Sequence, residues 1–219
     1  MMKTINIPVL LVGDSGSGKS STFRNMPPDK TVIVNTERKP LPFRSFGKFK
    51  NVNISQYKVF AKVMKELKEN DSYDFVVIDS MTSLLEIANK YCETVYNGYT
   101  VWSEYNGIVY EILQGIKDLP QQVFVTGIPE YIETKYGEPK AFLKTKGKEW
   151  KAALEKEFAI VLHTSLVDDD EGNIIEYRLD TKPSKSTSAK SPDGMFEERF
   201  IPNDAMIVNE AIKKYYEGE

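Results

Sequence analysis

An apolar run, INIPVLLV at residues 5–12, passes directly into GDSGSGKS at residues 13–20, and this junction constrains the chain more than any other feature. The run is continuous in its apolar character rather than alternating, as expected of a strand in a parallel sheet covered on both faces. The segment that follows fits G-x-x-x-x-G-K-[ST] at every fixed position. Glycines there let the backbone curl so that its N–H groups point inward at phosphate oxygens. A helix expected over residues 19–25, ended by Pro27 and Pro28, would add its N-terminal partial charge. The binding set is therefore Gly13, Asp14, Ser15, Gly16, Ser17, Gly18, Lys19, Ser20 and Ser21. Lys19 is placed to reach the β- and γ-phosphates, and the Ser20 hydroxyl is a ligand for Mg²⁺. The bland alternative, a Gly/Ser-rich loop met by chance, does not explain why a strand precedes it and a helical segment follows.

The remaining pattern repeats the alternation. Strands are expected at 31–35 (TVIVN), 74–79 (DFVVID), 122–126 (QVFVT) and 159–164, with a charged, proline-containing loop at 37–50. Helical spacing appears over 57–69, where Val59, Phe60, Val63, Met64 and Leu67 share a face, and again near 83–92, 102–117, 149–156 and 203–216. The turn DDDEGN at 168–173 joins the last strand to 174–179 as a hairpin. The expected fold is an α/β, three-layer αβα P-loop domain, with a mainly parallel sheet and a C-terminal β-hairpin, spanning 1–219 as one unit. In such sheets the ligand sits beyond the carboxyl ends of the strands.

Two carboxylates end strands there. Asp79 closes FVVID, where a carboxylate holds Mg²⁺ through its water shell; the same position suits a helix N-cap, since Ser80, Met81 and Thr82 open a helix. Hydrolysis needs a further carboxylate to polarise water. Ser80 follows Asp79, so no Glu stands directly after it, and Glu37, just past TVIVN, is the candidate base. Its plainer reading is a solvated loop residue paired with Arg38 or Lys39. Thr126 ends the fourth strand and is a candidate sensor of the γ-phosphate or the water, or else a strand-end Thr bonded to backbone.

Together these residues resemble the RecA-like ATPases, and especially the small phage and prophage ATPases of the AAA_24 type, including RecA-core single-strand annealing proteins of the Sak type. The likeness rests on GDSGSGKS, NTE after the second strand, DFVVIDSMTSL, WSEY at 102–105, VFVTGIPE and SAKSPDGMF, and runs from about residue 5 to 200. The resemblance implies Glu37 as catalytic glutamate, Thr126 as strand-end sensor, and Glu130 in the stretch that couples ATP to a DNA-facing loop. Lys190 resembles a lysine that reaches a neighbouring subunit's ATP, although Ser191-Pro192 replaces the usual Asp-Arg after it, and Lys182 and Lys185 are rivals in the same 182–194 segment. It further implies ATP and Mg²⁺ as cofactors, a homo-oligomer (ring or filament) with ATP at subunit boundaries, and a single-strand-binding protein as a partner.

Single-stranded DNA is the expected polymer. Aromatics interleaved with lysines occur at 91–105 (Tyr91, Tyr96, Tyr99, Trp102, Tyr105) and at 130–148 (Tyr131, Lys135, Tyr136, Lys140, Phe142, Lys144, Lys146, Lys148). Rings stack on bases and ammonium groups meet phosphates. The net charge of −3 means that such contact must come from a local patch. The plain reading is a hairpin with ordinary surface lysines, and for Lys182, Lys185 and Lys190 a solvated loop. Two other functions compete: a nucleotide or small-molecule kinase, which needs an arginine-rich lid, and a non-catalytic module in which nucleotide stabilises an assembly. One cysteine, Cys92, and one histidine, His163, argue against zinc. No apolar run is long enough for a leader or a span, so the expected location is the cytoplasm of the host cell, if phage-encoded.

Overall fold

The computed structural model describes residues 6–134 and 137–218. Ile5 of the expected first strand and Lys135 and Tyr136 of the candidate DNA segment lie outside the described residues.

The strands are β1 (Val9–Val12), β2 (Thr31–Asn35), β3 (Lys50–Asn53), β4 (Phe75–Asp79), β5 (Gln122–Gly127), β6 (Pro129–Glu133), β7 (Pro139–Leu143), β8 (Ile160–Asp168), β9 (Ile174–Asp180) and β10 (Phe200–Pro202). The helices are α1 (Tyr57–Lys68), α2 (Met81–Val95), α3 (Tyr99–Lys117) and α4 (Ala205–Glu217). An eight-stranded sheet runs β10-β9-β8-β1-β5-β4-β2-β3, and β6 and β7 form a separate antiparallel pair. From β8 to β3 the neighbours are parallel; β9 turns back on β8, and β10 on β9.

The apolar strands read as continuous because both faces are buried. Leu10 and Val12 point into a core with the apolar faces of α1, α2 and α3. Val9 and Leu11 point the other way, onto Phe23, Met26 and the inner face of α4. Helices α1 to α3 make one full layer. The opposite layer is thin, built from α4 and short 3₁₀ turns.

Several expectations are corrected. The helix expected over 19–25 is a four-residue 3₁₀ turn, Ser20–Phe23. Pro27 and Pro28 leave too few residues to propagate an α-helical ladder. The helix expected over 149–156 is turns followed by a 3₁₀ segment, Leu154–Glu157, with Trp150 and Leu154 buried. The excursion at 130–148, expected as a loop, contains the β6–β7 hairpin. β3 was hidden in a polar stretch: KNVN carries no apolar run because an edge strand has one neighbour and half-exposed sides.

His163 sits on β8 beside Val12, buried, with Nε2 2.9 Å from Ser188 Oγ. Burial pushes its pKa down to about 4. The unfolded imidazole takes up a proton near pH 6.5, whereas the folded one stays neutral until about pH 4. Protons therefore favour unfolding within that window, and stability falls as pH drops from about 6.5 toward 4, by an amount on the order of 3 kcal/mol from this group. An NMR titration of the His163 ring should show no protonation at pH 5.5; a midpoint near 6.5 in the folded protein would contradict the burial.

Candidate functional site

The carboxyl ends of β1, β2, β4 and β5 meet at one edge. Strand β5 lies between β1 and β4, with Leu11 opposite Thr126 and Val12 opposite Gly127. On the next strands Asn35 is opposite Asp79. This register carries Thr126, Asp79 and the residues after Asn35 to the base of the loop that leaves β1.

That loop is closed by its own polar groups. Gly13 N donates to Gly127 O at 3.2 Å. The Asp14 carbonyl accepts from Ser17 N, from Ser17 Oγ at 2.7 Å and from Lys19 Nζ at 2.7 Å. Lys19 is thus folded back onto the loop. Gly13 packs so tightly that a β-carbon there would overlap Thr164 Oγ1. Gly18 has φ +93°, with Tyr177 and Asn203 pressed against it. Because the 3₁₀ turn after the loop spans four residues, no long helix dipole stands behind the loop, and Lys19 carries its positive charge.

Asp79 is the hub. Its Oδ2 accepts from Ser20 Oγ at 3.0 Å, and its Oδ1 accepts from Thr126 Oγ1. Burial raises its pKa, and the two hydroxyl donors oppose that rise. The alternative role as N-cap falls to its neighbour, since the Ser80 side chain accepts from Ser83 N and opens α2. Lys19 is pulled the other way: burial lowers its pKa, while Asp79, Glu37 and Asp14 oppose the fall.

Glu37 is tied to this hub by a clasp that the sequence pattern does not announce. Thr36 N and Glu37 N both donate to Asp79 O, at 2.8 and 3.3 Å. Thr36 Oγ1 donates to Ser80 O and accepts from Ser80 N, at 2.8 and 2.7 Å. Ser80 Oγ then donates to Glu37 Oε1 at 3.0 Å. The other oxygen, Oε2, is 3.5 Å from Lys39 Nζ, so the ion pair of the plainer reading exists beside the clasp. Thr36 and Ser80 were missed as site residues. A partial signal was present, since each is the polar residue immediately past a buried strand; that the two strands are neighbours is visible only in the fold.

A cavity of about 380 Å³ lies over the loop. Ser15, Gly16, Gly18, Lys19, Ser20 and Ser21 line it, with Asp79 and Glu37 toward one side and Tyr177, which sequence reasoning also missed, from β9. The volume is in the range of small-molecule sites. The donor set of hydroxyl and carboxylate oxygens suits a hard divalent cation such as Mg²⁺, and a buried carboxylate whose charge is penalised gains from one.

Not every expected residue comes to this pocket. Lys190 is bonded through its backbone to Val161, with N···O of 2.8 Å in both directions, on the flank of β8. Burial lowers its pKa, opposed by Glu155 and Glu157. Lys182 donates to Glu197 O, and Lys185 pairs with Glu138 of the hairpin. The hairpin is itself joined to the phosphate loop: Tyr131 OH donates to Asp14 Oδ2 at 2.7 Å, which pushes its phenol up to about 12. Glu130 accepts from Thr145 N and lies 3.9 Å from Lys151. A neighbouring cleft of about 510 Å³ carries Arg38, Lys39, Lys90 and Lys144, and shares Glu37 and Ile128 with the first. Of the aromatics at 91–105, Tyr99 is 97% exposed but Tyr105 is fully buried, so Tyr105 is a core residue and not a stacking platform. Among the described residues no helix is long and apolar enough to cross a membrane.

A family model described as an AAA domain, AAA_24, matches residues 5–192. Solved structures similar to this chain include the KaiC-like protein PH0186 from the hyperthermophilic archaeon Pyrococcus horikoshii OT3, at 15% identity and TM-score 0.46, covering 79% of this chain and 76% of that one. Another is the RadB recombinase, at 16% identity and TM-score 0.47, covering 80% of this chain and 87% of that one. No curated protein matches.

Gly18→Ala tests the loop geometry. Its β-carbon would lie 2.6 Å from Tyr177 Cδ1 and 2.7 Å from Asn203 Nδ2, at a φ that L-residues rarely adopt. We expect a loss of about 1–3 kcal/mol in chemical denaturation; an unchanged midpoint would contradict the close approach.

Proposed function

The chain belongs to the AAA_24 family of AAA domains, and on that premise we propose that it is a Mg²⁺-dependent RecA-like ATPase acting on single-stranded DNA in phage-type recombination, annealing or replication. The observation that carries the ATPase reading is the shared carboxylate: Asp79 receives Ser20 of the phosphate loop, while the Thr36–Ser80 clasp holds Glu37 over the same cavity.

In this reading the triphosphate lies along the loop at residues 13–20, in the cavity lined by its backbone. Lys19 exchanges the Asp14 carbonyl for phosphate oxygens, a small movement because it is already within the loop. Mg²⁺, held by Ser20 and through water by Asp79, would neutralise charge on the phosphates. Glu37, steadied by Ser80, accepts a hydrogen bond from the attacking water and sets it in line with the γ-phosphorus. Thr126 holds Asp79 on the side facing β5, a place from which loss of the γ-phosphate is felt by the segment leading to the hairpin.

The hairpin supports the DNA reading. It carries Lys140 stacked 5.8 Å over the Phe142 ring and bonds Asp14 through Tyr131. The basic cleft beside it shares Glu37 with the ATP cavity, so a polyanion there would lie next to the water-orienting group. ATP sits at a boundary between subunits of a homo-oligomer, and Lys190 completes a neighbour's site. For that it must leave Glu155 and Glu157; Lys182 and Lys185, the latter with a more exposed side chain, are the rivals. The described residues lining the cavity include no arginine, which is the feature a kinase lid would need.

ATP turnover with and without single-stranded DNA tests the proposal. Wild type should be stimulated by DNA. Glu37→Gln should keep ATP binding and lose about 100-fold or more in kcat, and Lys19→Ala should lose binding. Slow turnover that ignores DNA and is unaltered in Glu37→Gln would favour the non-catalytic module instead.

A further inference from the structure

The phosphate loop leaves β1 with different neighbours on its two sides. Toward β4 and β2 stand Asp79 and Glu37, the groups that serve the terminal phosphate in the reading above, on which this inference rests. A triphosphate with its γ end on that side must send its nucleoside the other way, across Ser21 toward β8 and β9. The aromatic residue lining the cavity stands in that direction: Tyr177 of β9, whose ring packs against Gly18.

The β8–β9 hairpin continues past the level of the loop. Thr164 is already beside Gly13, and Leu166 lies farther along β8, directly opposite Tyr177. By strand alternation Tyr177 shares a face with Leu179, which is buried with Phe23 and α4, so the ring is on the loop side of the sheet. Leu166 and Tyr177 are both exposed for apolar groups, at 38% and 41%. An apolar shelf that includes a partly exposed ring, continuous with a phosphate site, fits a flat heteroaromatic base. Stacking of a base on an aromatic ring contributes about 1–3 kcal/mol by alanine substitution.

We infer that Tyr177, with Leu166 beside it, forms the subsite that receives the purine ring of the bound nucleotide. The glycine at position 18 has a second role here. With no β-carbon it lets the ring close over the loop, so base platform and phosphate grip become one surface.

The test compares two ligands that share the phosphates and differ in the base. Binding of ATP and of inorganic tripolyphosphate is measured calorimetrically, with Mg²⁺, for wild type, Tyr177→Ala and Tyr177→Phe. Tyr177→Ala should weaken ATP binding about tenfold, within the stacking range above, and leave tripolyphosphate within twofold of wild type. Tyr177→Phe should bind both as wild type does. Equal weakening of both ligands in Tyr177→Ala would mean that the ring only supports the loop, and would overturn the inference; so would no change in either. If wild-type protein binds neither ligand, the phosphate site itself is wrong. If it binds both and only the Tyr177 pattern fails, the ATPase reading stands without this base subsite.

Discussion

A buried carboxylate shared between two hydroxyls organises this edge of the molecule. Asp79 takes Ser20 from the phosphate loop and Thr126 from the strand between, and its own carbonyl takes the amides of Thr36 and Glu37. Four strand ends are thereby referred to one residue. Burial of a charge is unfavourable unless hydrogen bonds or a cation answer it. The arrangement therefore keeps the loop, Thr126 and Glu37 in fixed relation.

The thin second layer follows from the same economy. The segment after the loop cannot grow into a long helix before Pro27, so Phe23 and Met26 pack inward from a single turn, and α4, near the chain's carboxyl end, closes that face. Asn203, just before α4, donates to Gly18 O at 2.9 Å and approaches Thr22, which ties the latest helix to the earliest loop. Sequence-distant contacts of this kind hold the loop's curvature, and they explain why glycine is needed at 13 and 18 for different neighbours.

Much of the frame was legible because buried parallel strands and a phosphate loop have strong local patterns. IPVLLV, TVIVN, FVVID and QVFVT each mark a strand covered on both faces, and the periodicity of α1 marked its helix to within a residue. What escaped were elements whose identity depends on a neighbour. β3 is polar because it is an edge; the turn after the loop is shortened by prolines whose effect on helix type is not local; Tyr105 looked like one more ring in an aromatic run, yet α3 turns it into the core. In the site, Asp79 and Glu37 stood out as strand-end carboxylates, whereas the Thr36–Ser80 clasp is set by register between strands far apart in the chain, and Tyr177 reaches Gly18 because the β8–β9 hairpin pairs with the distant β1. Register is a property of pairs, and a single sequence does not display it.

The central claim is that the loop at 13–20 and Asp79 together grip a Mg²⁺–nucleotide. The most direct measurement is a crystal structure with Mg²⁺ and a non-hydrolysable ATP analogue. The account predicts the triphosphate on the loop amides, Lys19 moved from the Asp14 carbonyl to phosphate, and the metal between Ser20 and Asp79. A nucleotide bound elsewhere, with Lys19 still on Asp14 and Ser20 still donating to Asp79, would contradict it.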